Sequence, residues 1–121
     1  MDSFTQAYIE AALWSSTDES DEQGGEPLDA NYGLNDISPE TLASIIEDCQ
    51  AFQAAHADDI GSKLERAGHD FWLTRNGHGA GFWDGDWDDD VGRRLTEASD
   101  SFGSVDLYVD SFTRKVTNER L

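Results

Sequence analysis

The chain has 121 residues, 37% of them apolar, and its four Trp, six Phe and three Tyr are enough to build one folded core. Twenty-six acidic residues against eight Lys and Arg give a net charge of −18, a field that repels nucleic acid and anionic membrane and attracts basic protein surfaces. A single cysteine, Cys49, excludes an internal disulfide and a cysteine-built zinc site within one chain, and without an apolar run of about 18 residues or the basic and apolar regions of a secretory leader, no membrane span, no export signal and a cytoplasmic setting are expected.

In chain order, residues 3–14 read as a first helix, with Ser3 as its cap and Phe4, Tyr8 and Ala11 at helical spacing. Trp14 ends it. Residues 17–36 form an acidic, glycine-containing connection, long enough to be either a working surface or a mobile link, with Leu28, Tyr32 and Leu34 tacking its second half to the core. The second helix covers residues 39–56. Ser38 is its N-cap, Pro39 takes the first helical position, and Leu42, Ile45, Ile46, Cys49, Phe52 and His56 make one apolar stripe. A shorter helical piece is expected over residues 58–67, stopped by Gly68. Residues 70–84 then read as an antiparallel hairpin: Phe71-Trp72-Leu73-Thr74, a turn at Asn76-Gly77, and a return through Gly81-Phe82-Trp83. A third helix is expected from about residue 89 to 102, and Val105 to Val109 alternates as a strand that pairs with the hairpin. The tail from residue 113 is polar and expected to fray. The fold class is therefore α+β: a small antiparallel sheet, made of the hairpin plus the later strand, packed against about three helices in a single domain over residues 1–121.

The charge is unevenly placed. Residues 1–62 hold fourteen acids and no Lys or Arg, and five of the eight bases fall within residues 63–94. The expected partner-binding acids are Asp18, Glu19, Asp21, Glu22 and Glu26 of the connection, Glu47 and Asp48 of the second helix, and the run Asp84, Asp86, Asp88, Asp89 and Asp90 with Trp87 among them. These are expected to form one concentrated acidic face. Two readings of the charge stand side by side. Carboxylates can imitate the phosphate array of a nucleic acid and so occupy a nucleic-acid-binding protein. Alternatively, seventeen Asp, nine Glu and two Lys are also the composition of a chain kept hydrated by acid in high salt.

The stretch Gly68-His69-Asp70-Phe71-Trp72-Leu73-Thr74-Arg75-Asn76-Gly77-His78-Gly79-Ala80-Gly81-Phe82-Trp83-Asp84, with Tyr8-Ile9-Glu10, Ala12-Leu13-Trp14-Ser15-Ser16-Thr17-Asp18-Glu19, residues 36–42 and Leu107-Tyr108-Val109, resembles a family of small proteins encoded by bacteriophages and prophages. The run from Asp84 to Asp90 is more acidic than that family's pattern. The resemblance implies an accessory phage protein that binds and inhibits a host factor.

Signals for catalysis or metal binding are weaker. His69 and His78 flank Asp70 and lie near Asp84, but ligands must converge to within about 2.2 Å of one ion. Asp86, Asp88, Asp90 and Glu97 fit positions 1, 3, 5 and 12 of a calcium loop, yet Val91 stands where the loop needs glycine and Arg94 opposes the cation. The glycine-rich run at 76–81 joins strand to strand in this reading and has no Lys after it, unlike a phosphate cradle. The expectation is thus a binding protein, not an enzyme, with no cofactor and no metal. Its expected partner is the basic surface of a host nucleic-acid-binding or defence protein. The alternative is a structural or interaction protein that is acidic for solubility, and a metal-dependent module or enzyme ranks third.

Overall fold

A computed structural model describes residues 1–18, 25–78, 80–83 and 87–120, with the side chains of residues 119 and 120 left aside. The elements are α1 (Ser3–Ser15), β1 (Thr17–Asp18), β2 (Glu26–Pro27), 3-10 turns at Leu28–Ala30 and Leu34–Asp36, α2 (Pro39–Ile60), α3 (Leu64–Arg75), α4 (Asp89–Ser101), β3 (Val105–Val109) and β4 (Val116–Arg120). The class is α+β, with two small antiparallel sheets: β1 with β2, and β3 with β4.

The caps account for most helix boundaries. Asp2, rather than Ser3, caps α1, its carboxylate accepting the Thr5 N–H at 2.8 Å. Ser38 caps α2 as expected, accepting from the Thr41 N–H with Pro39 in the first turn. This helix is longer than the apolar stripe suggests. Its backbone kinks at His56, whose ring lies 4.8 Å from that of Phe52, then resumes to Ile60 and stops at Gly61. The expected helical piece over 58–67 is therefore divided between α2 and α3.

The expected hairpin at 70–84 is not formed: Phe71 to Arg75 is the second half of α3. The physical reason is burial on nearly every side. Ala67, Gly68 and Asp70 to Arg75 are all buried, so the helix has no polar face to set a period, and a short apolar run of this kind reads equally as a strand. Asn76-Gly77 does require positive φ, but for another purpose. Gly77, at φ +70°, donates to the Thr74 carbonyl while His78 donates to that of Leu73, the paired bonds that close a helix C-terminus with glycine just beyond its cap.

The antiparallel hairpin lies later. β3 pairs with β4 from Val105↔Arg120 to Val109↔Val116, with Val105, Leu107 and Val109 turned inward. The tail expected to fray is thus a strand. Its single apolar anchor, the fully buried Val116, gives no alternation to read; main-chain pairing with β3 holds the strand, and the Ser38 N–H ahead of α2 donates to the Val116 carbonyl at 2.9 Å. The 17–36 connection is likewise partly structured: Thr17 pairs with Pro27 and Asp18 with Glu26.

The helices fix one another's direction. Phe4 meets Gly68 near the starts of α1 and α3, and Trp72 donates to Ser15 Oγ at 2.7 Å further along. Trp87, just before α4, donates to Asp70, while Arg75 at the end of α3 reaches the carbonyls that follow α4. α1, α3 and α4 therefore run the same way and α2 runs against them, and the core rings Phe4, Tyr8, Phe52, Phe71, Phe82 and Phe102 pack between them. A Cβ added at Gly68 would overlap the Phe4 carbonyl oxygen. Gly68→Ala should therefore destabilise the protein by about 1–3 kcal/mol in urea unfolding, although alanine intrinsically favours a helix interior by about 1 kcal/mol. A gain in stability would show that α1 and α3 do not cross here.

Candidate functional site

The expected partner-binding residues, apart from Asp18 in the β1–β2 ladder, fall into three groups. Glu19, Asp21, Glu22, Asp84 and Asp86 lie outside the described residues. Two others are committed to the fold. Asp48 pairs with Arg75 at 2.9 Å and is largely covered. Trp87, only 7% exposed, donates its indole N–H to the buried Asp70 at 2.8 Å and packs edge-on against Phe82, with the Lys63 ammonium over its ring. Trp87 is therefore a core residue and no surface anchor.

The third group faces solvent. Glu26 is exposed on β2 and accepts from Asn31 Nδ2 at 3.1 Å, and Glu47 is exposed on α2. Asp88, Asp89 and Asp90 are exposed at the start of α4. Asp88 holds the N-cap position yet makes no side-chain capping bond, so the run acts on the helix through the macrodipole alone. Only Asp90 has a near cation, Arg93 at 3.7 Å, and both are widely exposed. The described acids are distributed and do not form the single concentrated face expected. Asp48 sits at the C-terminal end of α4 and Asp88 to Asp90 at its N-terminal end, separated by the helix length of roughly 20 Å. The Asp18–Glu26 ladder lies near β3, beyond that C-terminal end.

The most elaborate polar cluster is one that sequence reading missed. The Arg75 side chain has no exposure. Its Nη1 donates to Tyr8 Oη at 3.1 Å and to Asp48 Oδ2 at 2.9 Å, while Nε and Nη2 donate to the carbonyls of Gly103 and Phe102 at 2.8 and 3.0 Å. Those carbonyls follow α4 and have no helical partner, so the guanidinium satisfies them and neutralises the negative end of that helix. Burial raises the Tyr8 phenol well above its ordinary range and so keeps it neutral. The signal in the sequence is a lone Arg just after the apolar run Phe71-Trp72-Leu73.

Burial pushes the Cys49 thiol far up, the opposite of what a nucleophile needs. Among the described residues no three His, Cys, Asp or Glu side chains are grouped as a metal would require. His69 Nδ1 lies 3.5 Å from Asp70 Oδ1, whose carboxylate is already bonded to Trp87. Asp90 to Glu97 of the calcium register are turns of α4, not a loop. Among the described residues, no helix is long and apolar enough to cross a membrane.

A groove of about 500 Å³ lies between α1 and the 28–36 segment. Ile9, Leu13 and Trp14 form one wall and Tyr32 and Leu34 the other, with Glu10 and Asp29 at the rim. Trp14, in the last turn of α1, is 56% exposed, and Leu34, which opens a 3-10 turn, is 41% exposed. Leu28 is wholly buried beneath the segment, and Asp36 accepts the Gly33 N–H at 2.8 Å to fix its bend. A smaller cleft of about 380 Å³ lies between Trp83 and α4.

In comparisons with protein-family models, curated proteins and solved structures, none matches this chain.

Two ion pairs that reach between elements among the described residues predict contrasting mutants. Removing Arg75 with Arg75→Ala strands Asp48 and two carbonyls and should cost about 3–5 kcal/mol in chemical denaturation. Arg94 holds Asp59 in a two-bond contact, the shorter at 2.6 Å, and depresses its carboxyl below the usual carboxylate range, but the pair is open to solvent. Arg94→Ala should cost no more than about 1 kcal/mol. Similar costs for the two variants would contradict the assigned roles.

Proposed function

We propose that this chain is a non-catalytic accessory protein of the phage type that occupies the basic face of a host nucleic-acid-binding or defence protein, its carboxylates taking the place of nucleic-acid phosphates. The observation that carries this reading is the outward-facing acid that the fold does not use. Asp88, Asp89 and Asp90 exceed what a helix start requires, Glu26 and Glu47 face solvent, and the first 62 residues supply no Lys or Arg to offset their acids. The likeness of residues 68–84 to phage-encoded proteins points the same way.

A second reading has its own support. The exposed acids are spread over β2, α2 and the start of α4, as expected if they serve hydration in high salt or solubility and need no particular geometry.

The test is competition. Labelled duplex DNA bound to a sequence-nonspecific bacterial DNA-binding protein should be displaced by this chain, and the displacement should weaken steeply between about 50 and 200 mM salt, as for a ligand that replaces several phosphates. Neutralising Asp88, Asp89 and Asp90 together to Asn should weaken displacement by about 10-fold or more through the lost field. Failure to displace DNA from any of a panel of basic host proteins at low salt would overturn the proposal.

A further inference from the structure

We infer that the groove between α1 and the 28–36 segment is the docking site for a cationic amphipathic segment of the partner protein, one that inserts apolar side chains between Trp14 and Leu34 and sets Lys or Arg beside Glu10 and Asp29. The inference deepens the proposed function and rests on its claim that the partner is basic.

Three observations converge on this place. First, the groove keeps large apolar groups in water. Trp14 and Leu34 are two of the few exposed large hydrophobic side chains among the described residues, and they face each other across one cleft. An exposed aromatic beside a concave apolar wall is the usual form of an interface anchor. Second, both walls are held before any ligand arrives. Ile9 and Leu13 are buried on α1, the Trp14 ring rests edge-on against His69 of α3 at 6.1 Å, and Tyr32 donates its main-chain N–H to the Leu28 carbonyl at 2.9 Å. A preformed site loses little conformational freedom on binding. Third, the charge selects the occupant. Both charged side chains that line the groove are acidic, and residues 1–62, which supply both walls, contain no Lys or Arg; the one cation bonded to the 28–36 segment among the described residues is Lys115, on the Asn35 carbonyl at 3.3 Å.

That combination discriminates between ligands. An acidic peptide, nucleic acid or anionic lipid is repelled. A small organic cation would meet only two rim carboxylates, whereas a segment carrying several cations gains from the whole acidic half of the chain. The volume, about 500 Å³, accommodates a few side chains and not an entire domain, which fits a helix or strand segment laid along α1.

The experiment uses the full chain and two fluorescent synthetic probes of equal charge. One is an amphipathic helix of about 14 residues, with leucine at every third or fourth place and lysine elsewhere. The other replaces each leucine by serine. Binding is followed by anisotropy at about 50 mM salt, where charge is incompletely screened. The leucine-containing probe should bind at least about 10-fold more tightly than the serine one, and Trp14→Ala with Leu34→Ser should remove that difference while leaving the serine probe unchanged. Both side chains are exposed, so the fold should survive, and an unchanged circular dichroism melt verifies it. Should these two substitutions unfold the chain, Glu10→Gln with Asp29→Asn applies the same test through the rim, with a several-fold loss expected for the leucine probe. Equal affinity for the two probes, a difference that persists in the folded Trp14→Ala and Leu34→Ser variant, or no loss for the leucine probe in the rim variant overturns the groove while the basic-partner reading stands. If neither probe binds at low salt, both readings fail together.

Discussion

One buried guanidinium sets the arrangement of the helices. α1, α3 and α4 run in the same direction, so their C-terminal ends, with their unpaired carbonyls, gather at one end of the molecule. In a chain of charge −18 that end needs a cation, and Arg75 is the one placed there without any exposure. Its fork joins Tyr8 of α1, Asp48 of α2 and the two carbonyls after α4, and its flat face lies 5.3 Å from the Phe71 ring centre. The adjacent backbone extends the cluster to the sheet: Ser104 Oγ donates to the Arg75 carbonyl, and Asn76 Oδ1 accepts the Val105 N–H that begins β3. A lysine could not replace this network, because one ammonium cannot reach four acceptors in a plane. At the opposite end the helix N-termini favour carboxylates, and Asp2, Asp88, Asp89 and Asp90 lie there.

This division separates structural acids from the rest. Asp2 caps α1, Asp48 balances Arg75, Asp59 holds Arg94 between α2 and α4, and Asp70 receives the indole of Trp87 in the core. Such contacts make tertiary structure from an acidic chain without a compensating number of bases. They also define a remainder: Glu10, Glu26, Asp29, Glu47 and Asp88 to Asp90 face outward or line the groove rim. In the proposed function it is this remainder, with Glu10 and Asp29 at the groove, that would meet a basic protein.

Local chemistry revealed some of these features and hid others for definite reasons. α2 and α4 were legible because each has one buried stripe and one wet face, with Ser38 and the Asp run marking their starts. β3 was legible because Val105, Leu107 and Val109 alternate with polar residues. α3 was misread because it is buried almost all round and because Asn-Gly serves a helix end as well as a hairpin; both uses exploit positive φ. β4 has only Val116 to announce it. The acids of residues 84–90 were visible, but their neighbour Trp87 was assigned outward, since its partner Asp70 is brought to it only by the packing of α3 against α4. Arg75 and the groove were invisible for the same reason. Each depends on elements distant in the chain, and Trp14 and Leu34 become a pair only when the 28–36 segment folds back along α1.

The central claim is that the outward acids exist for a partner and not for the solvent. If so, the Arg75 network and the aromatic core must hold the fold without help from concentrated salt. Thermal unfolding followed by circular dichroism from about 10 mM salt, where charges act over about 30 Å, to about 1 M, where they act over about 3 Å, tests this directly. The account predicts a cooperative transition throughout, with a midpoint that rises modestly as self-repulsion is screened. A chain that is unfolded at low salt and becomes cooperative only near 1 M would contradict it and assign the charge to salt adaptation.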